Sequence, residues 1–186
     1  MRKLIVKEWI TLDGIFDGDT MEEWFSPFQS DERIEYVQNT VQSSDAMLYG
    51  RKTYEMLAPY WSKFKNNEMG IAEKLNNVPK YVVSSSMKSA DWNNTSIINS
   101  NIVEEVSRLK NQPGQQILID GSATLVQSLM GTALIDEYQF LVHPIVVGKG
   151  KKFFREGMHT PNLKLVKTKT FPLGVMLVCY QPAKNY

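Results

Sequence analysis

The 186-residue sequence has one cysteine and two histidines. A lone thiol, Cys179, rules out an internal disulfide, and two histidines beside it are too few for a zinc site. Cys179 lies in the apolar run Val175–Tyr180 and reads as a buried structural thiol. Neither sign of charge dominates: 21 Lys and Arg face 20 Asp and Glu, for a net charge of +1. No face-long basic run is present, which argues against a nucleic-acid partner, and Lys149, Lys151 and Lys152 read as a solvated turn. Long hydrophobic runs are also missing. The N-terminal Met-Arg-Lys leads into a short apolar stretch broken by Lys7 and Glu8, unlike a signal peptide, so a cytoplasmic protein with no membrane partner is expected. Repeats, linkers and low-complexity segments are absent. With 42% hydrophobic and 22% charged residues, the composition is that of a globular chain folding as a single domain over residues 1–186.

What is present is organised around Gln116–Phe154. Ile117-Leu118-Ile119 reads as a buried strand that ends at Asp120-Gly121-Ser122. A helical pattern follows at once, with Leu125, Leu129 and Met130 on one face, and a second apolar run extends from Tyr138 to Val147. Strand, glycine turn, helix, strand is a βαβ unit, so the expected class is α/β with a mostly parallel sheet. Leu4–Thr11 reads as the first strand, closed by Leu12-Asp13-Gly14 and a Gly/Asp-rich loop. Ser30 or Asp31 caps a helix through Arg33, Ile34, Val37 and Val41. Further strands are expected at Ala46–Tyr49, Lys80–Val83 and Ser96–Asn99. Further helices are expected from Gly50, ended by Pro59 and the Trp61–Asn67 region, from Met69 to Leu75, and over Ile102–Lys110 with Val103, Val106 and Leu109 inward. Beyond a polar connection over 155–162, Leu163–Thr170 and Val175–Tyr180 form an antiparallel hairpin about Pro172-Leu173-Gly174.

Two strand-to-helix turns carry a glycine at the hinge. A glycine there lets the backbone approach a ligand, while the helix behind it aims unpaired N–H groups at any phosphate. The Gly50 turn adds Arg51, Lys52 and the Thr53 hydroxyl, all suited to phosphate oxygens. Two such turns suit a dinucleotide, whose diphosphate takes donors from both sides. After the third strand, Ser84-Ser85-Ser86 stands where a coenzyme lacking the 2′-phosphate would favour an acid. Hydroxyls there, with Arg51 and Lys52 available, favour NADPH. The segment Gly148-Lys149-Gly150-Lys151 lacks the Walker spacing and its following Ser or Thr. His143, before Pro144 in an apolar strand, reads as a hydrogen-bonded core or interface residue.

In order along the chain, the LDG segment, GRKTYE, VVSSS, LIDGSATL and IDEYQFLVHPIVVGKGKKFF resemble the dihydrofolate reductase superfamily. The likeness is greatest to the reductase domain of bifunctional riboflavin biosynthesis proteins, and it covers nearly the whole chain. It implies a three-layer α/β/α fold, a mostly parallel central sheet and an antiparallel C-terminal hairpin, often as a homodimer. It also assigns coenzyme contacts. Gly50, Arg51, Lys52 and Thr53 match the phosphate-binding helix opening, and Ser84, Ser85 and Ser86 the 2′-phosphate loop. Gly121, Ser122, Ala123, Thr124 and Leu125 match the pyrophosphate turn, and Asn99 the strand end beside the adenine. Folate-active relatives carry Gly-Gly where this chain has Asp120-Gly121, and their pterin-protonating carboxylate falls at Glu32. The Pro-Trp that precedes that helix is missing, which argues against folate.

The expected activity is hydride transfer from NADPH to a C=N or C=O carbon of a small molecule, with a pyrimidine- or pterin-like ring as a candidate. Asp13 and Glu32 are the candidate proton donors, each to be given a raised pKa by Trp9, Phe16 or Trp24. The alternative is a dinucleotide-binding or dimeric module on the same fold without turnover.

Overall fold

The computed structural model describes residues 1–158 and 162–183. In chain order the elements are β1 (Lys3–Thr11), α1 (Met21–Phe25), α2 (Asp31–Gln42), β2 (Ala46–Gly50), α3 (Arg51–Trp61), α4 (Ala72–Asn77), β3 (Lys80–Val83), β4 (Thr95–Ile98), α5 (Ile102–Lys110), β5 (Gln116–Ile119), α6 (Ala123–Leu129), β6 (Glu137–His143), β7 (Leu163–Thr170) and β8 (Met176–Pro182). They form an eight-stranded sheet in the order β4-β3-β2-β5-β1-β6-β8-β7. The first six strands in that order run parallel, and β8 and β7 close one edge antiparallel.

The central strands are apolar on both faces because helices cover both faces. Alternation along each strand divides the core. Leu4, Val6, Ala46, Leu48, Ile117 and Ile119 meet Val106 and Leu109 of α5 and Leu125, Val126 and Leu129 of α6. Ile5, Met47, Tyr49 and Leu118 face the opposite layer, with Val41 of α2, Tyr54 of α3 and Leu75 of α4. A third cluster, Leu141, Leu177, Cys179, Phe171 and Val175, fills the space beneath the hairpin. The result is the expected three-layer α/β/α arrangement. Among the described residues, no helix is long and apolar enough to cross a membrane.

Several boundaries differ from those read in the sequence. The strand expected to reach Val147 stops at His143, because Pro144 has no N–H to donate and Ile145 N turns back onto His143 O at 2.8 Å. Pro59 lies inside α3, which ends at Trp61, the start of the region expected to stop it. α2 begins as expected, with Ser30 Oγ accepting from Arg33 N, but its phase is shifted: Arg33 is 3% exposed and Ile34 39%. Val103 faces solvent, and Val106 and Leu109 form the buried face of α5 with Lys110. β4 starts and ends one residue earlier than read. The connection expected over 155–162 lies partly outside the described residues.

One buried cation closes a helix end. Lys80, fully buried, donates from Nζ to the carbonyls of Leu75 (2.6 Å), Val78 (2.8 Å) and Asn76 (3.4 Å), closing the C-terminal end of α4. Burial lowers its pKa to about 8.

Candidate active site

All six parallel strands point their carboxyl ends at one edge, where loops surround an open cleft of about 1790 Å³. In open α/β sheets this edge is where ligands bind. The two glycine turns meet there. Gly50 N donates to Gly121 O at 3.1 Å, which joins the β2–α3 turn to the β5–α6 turn. Neither glycine could carry a side chain without displacing the other turn. A Cβ on Gly50 would lie 2.2 Å from Ser122 Oγ, and one on Gly121 would lie 2.5 Å from Thr53 Oγ1. Gly121 also has φ +87°, a conformation strained for any other residue. The cis peptide at this turn joins Gly121 to Ser122, one bond after Asp120-Gly121.

Most of the expected coenzyme residues line this cleft: Gly50, Arg51, Lys52, Thr53, Ser84, Ser85, Ser86, Asn99, Ser122, Ala123, Thr124 and Leu125. Gly121 contributes the backbone bond beneath. Their states differ. Thr53 is buried, with its hydroxyl beside Gly121, and Ser122 Oγ caps α6 by accepting from Leu125 N at 3.4 Å. The Ser84 hydroxyl is committed to its own loop, accepting from Met87 N at 3.0 Å and Ser86 N at 3.3 Å, so Ser85 and Ser86 are the exposed hydroxyls. Arg51 and Lys52 are both exposed; Arg51 is paired with Glu55, one turn along α3, at 2.9 Å.

The two candidate proton donors lie elsewhere. Asp13 ties two loops together: its oxygens accept from Thr11 Oγ1 (2.5 Å), Gly148 N (2.8 Å) and Val147 N (3.3 Å). The Thr11 hydroxyl first, and those two amides, hold its pKa below the ordinary carboxylate value, the reverse of what an acid catalyst needs. Glu32 sits at the solvent-facing start of α2, half exposed, 3.1 Å from Lys169 Nζ of the hairpin and outside the cleft lining. The shifted phase of α2 explains this: the residues it presents to the cleft are Val37 and Val41.

The acids nearest the cleft floor are Glu8 and Asp120. Lys7 and Glu8, adjacent on β1, point to opposite faces of the sheet and are both buried. Lys7 Nζ donates to Asp120 Oδ2 at 3.0 Å, with Lys7 fully buried and Asp120 28% exposed to the cleft. Glu8 Oε1 accepts from Gly121 N at 2.9 Å. Burial, then the neighbouring Asp120 carboxylate, push the Glu8 pKa well above its ordinary value, against the Gly121 amide and Lys7. Burial and Asp120 raise Tyr49 as well. Trp9, whose ring centroid lies 5.0 Å from Lys7 Nζ, stacks on Phe25 and walls the cleft with Trp24 and Met21. The sequence signal for this cluster was the charged pair inside an apolar strand, and its partner is 113 residues away in the chain.

His143 is fully buried outside the cleft, within a cage of Trp24, Phe25 and Phe28. Arg33 Nη1 can only donate, so His143 Nε2 (2.8 Å) accepts and Nδ1 carries the proton toward Ile10 O (3.3 Å). Burial, above all, lowers the His143 pKa to about 4 and that of Arg33 to about 10. Among the described residues, no group of acids, histidines and cysteines is arranged to hold a metal ion.

Comparison with known proteins agrees with this architecture. Residues 2–177 match the sequence profile of the RibD C-terminal domain. The Bacillus subtilis (strain 168) protein YyaP, itself uncharacterized, is 33% identical over 181 residues, covering 96% of this chain and 94% of YyaP. A pyrimidine reductase-like protein from Corynebacterium diphtheriae superposes with a TM-score of 0.71 at 12% identity, covering 99% of this chain and 93% of that one. A diaminohydroxyphosphoribosylaminopyrimidine deaminase/5-amino-6-(5-phosphoribosylamino)uracil reductase from Thermotoga maritima gives 0.67 at 16% identity, over 98% of this chain and 57% of its own. At such identities, the two structures share the fold.

Proposed function

The chain belongs to the RibD C-terminal domain family, and from that premise we propose that it is an NADPH-dependent reductase of a small molecule, with residues 1–186 acting as one domain. The observation that carries this reading is the junction of the glycine turns, Gly50 N to Gly121 O at 3.1 Å, at the floor of one cleft. A dinucleotide takes donors from two sides at its diphosphate, and these turns, packed against each other through the Ser122 and Thr53 side chains, bring theirs to one place. Thr53, Ser122 and Thr124 supply hydroxyls, and the start of α3 supplies free N–H groups. The exposed Ser85 and Ser86 hydroxyls, with Lys52, suit a 2′-phosphate, and no acid stands among the three serines to repel one.

When bound, the coenzyme supplies a hydride to an electron-poor C=N or C=O carbon. The chain's own residues orient the reactants and exclude water. Trp9, Trp24 and Met21 form an apolar wall that strengthens polar contacts inside it. Asp120, fixed by the buried Lys7 and partly open to the cleft, presents its side chain to the substrate end. A reductase of this kind agrees with the names of the Corynebacterium and Thermotoga proteins. A homodimer belongs to the same reading, and sedimentation checks it.

Thermal unfolding with each coenzyme tests the proposal. NADPH at a hundred times its Kd should add about 2.7 kcal/mol of stability, and NADH at the same concentration much less. Oxidation of NADPH with pyrimidine, pterin and aldehyde substrates then reads turnover. An unfolding midpoint unmoved by either coenzyme would end the reductase reading.

A further inference from the structure

We infer that Glu8 is a positioning residue for the coenzyme: its buried carboxyl holds the Gly121 turn in place, and its ionisation adds net negative charge to the floor beneath the bound diphosphate. The inference rests on the reading of the cleft as a dinucleotide site and adds a residue and a pH dependence to it.

Glu8 lies mid-strand on β1, 1% exposed, on the same face as the buried Val6 and Ile10. An acid in such a place needs a hydrogen bond or a counter-charge. Its bond is to the Gly121 amide, at 2.9 Å. The carbonyl of that same glycine accepts from Gly50 N at 3.1 Å. Glu8, Gly121 and Gly50 therefore form one chain of hydrogen bonds linking β1 to both turns. Among the described residues Glu8 makes no ion pair, and the cations of the 151–155 segment, Lys151, Lys152 and Arg155, line the cleft without bonding to its carboxyl. Lys7 is on the opposite face and bonded to Asp120 at 3.0 Å. From β6 the residue opposite Glu8 is Phe140, and α6 contributes no ionisable group. Tyr49, on β2, faces Asp120 and stays a neutral phenol.

The charge balance of the floor follows. With Glu8 neutral, Lys7 and Asp120 cancel. With Glu8 ionised, two carboxylates share one ammonium beneath the turns, and an anionic ligand above them meets a net negative charge. Burial, then the Asp120 carboxylate, shift Glu8 in the direction of a retained proton. Coenzyme affinity then falls as Glu8 loses that proton.

The test is NADPH binding by fluorescence between about pH 7 and pH 9.5, a window above the phosphate pKa near 6, for wild type and E8Q. Glutamine keeps an oxygen for the Gly121 amide and cannot ionise. Wild-type affinity should fall relative to E8Q as pH rises, by about tenfold once Glu8 is ionised, and E8Q affinity should stay within about twofold. Lys80 titrates in the same range in both proteins, so the difference isolates Glu8. Thermal midpoints supply a readout without ligand. A raised folded pKa means that the native state binds the extra proton, so wild-type stability declines relative to E8Q as pH rises from about 4.5. E8A, which removes the acceptor, should weaken NADPH at every pH. Parallel pH profiles for wild type and E8Q, in affinity and in midpoint, would overturn the inference and leave the reductase reading intact. Absence of NADPH binding at every pH, in a folded wild-type protein, would overturn both.

Discussion

Two buried polar clusters border β1, and they use burial in opposite ways. Lys7, Glu8 and Asp120 lie where β1 and β5 meet the cleft, with Asp120 28% exposed to it. Arg33 and His143 are enclosed beneath the hairpin among Trp24, Phe25 and Phe28, with Arg33 3% and His143 0% exposed. Burial drives an acid to keep its proton in the first cluster and a base to give one up in the second. The first reaches the cleft through Asp120. The second is closed, and the hydrogen bonds of its imidazole are spent on Arg33 and Ile10. A perturbed pKa thus marks a site only where the group, or its partner, reaches a cavity.

The largest expected effect breaks the closed cluster. His143→Ala leaves the Arg33 guanidinium buried without its acceptor and, among the described residues, without a carboxylate in ion-pair reach. It should cost about 3–5 kcal/mol of stability in denaturant unfolding, with NADPH affinity of the folded fraction unchanged. His143→Gln, which restores an acceptor, should recover part of it.

The pH dependence of the same cluster comes next. The folded His143 pKa, near 4, lies below the unfolded value of about 6.5, so the unfolded state binds the extra proton between them. Its contribution is complete above pH 6.5 and is lost as pH falls toward 4, on the order of 3 kcal/mol in total. Chemical denaturation across this range should show a steeper acid loss in wild type than in His143→Gln.

Lys7→Met should separate the clusters by kind. Asp120 reaches solvent, so its lone carboxylate can hydrate, and the cost should appear as about a tenfold loss of kcat/KM, larger than the loss in stability. A stability loss equal to that of His143→Ala would make the cleft cluster structural too.

How much of this was legible depended on sequence distance. Gly50 and Gly121 each stand at a strand-to-helix junction, so local pattern alone marked both turns, and the serine run after β3 marked a third cleft segment. The floor was hidden because Lys7 and Glu8 draw their meaning from Asp120 and Gly121, 113 residues away. Asp13 and Glu32 had the right chemistry and the wrong surroundings. The amides that bind Asp13 come from the Val147-Gly148 loop, and the phase of α2, set by burial of Arg33 rather than Ile34, turns Glu32 to solvent.

The smallest effect sharpens that last point. Glu32→Gln removes an exposed pair with Lys169 and should change stability by less than about 0.5 kcal/mol and leave the pH–rate profile unaltered. A shifted profile would return Glu32 to the mechanism.

The most direct measurement is an amide NMR titration of the labelled protein with NADPH. The Gly50, Lys52, Gly121 and Ser122 amides should shift together along one saturation curve, because one diphosphate engages both turns. Shifts confined to one turn, or saturating at different concentrations in the two, would contradict it.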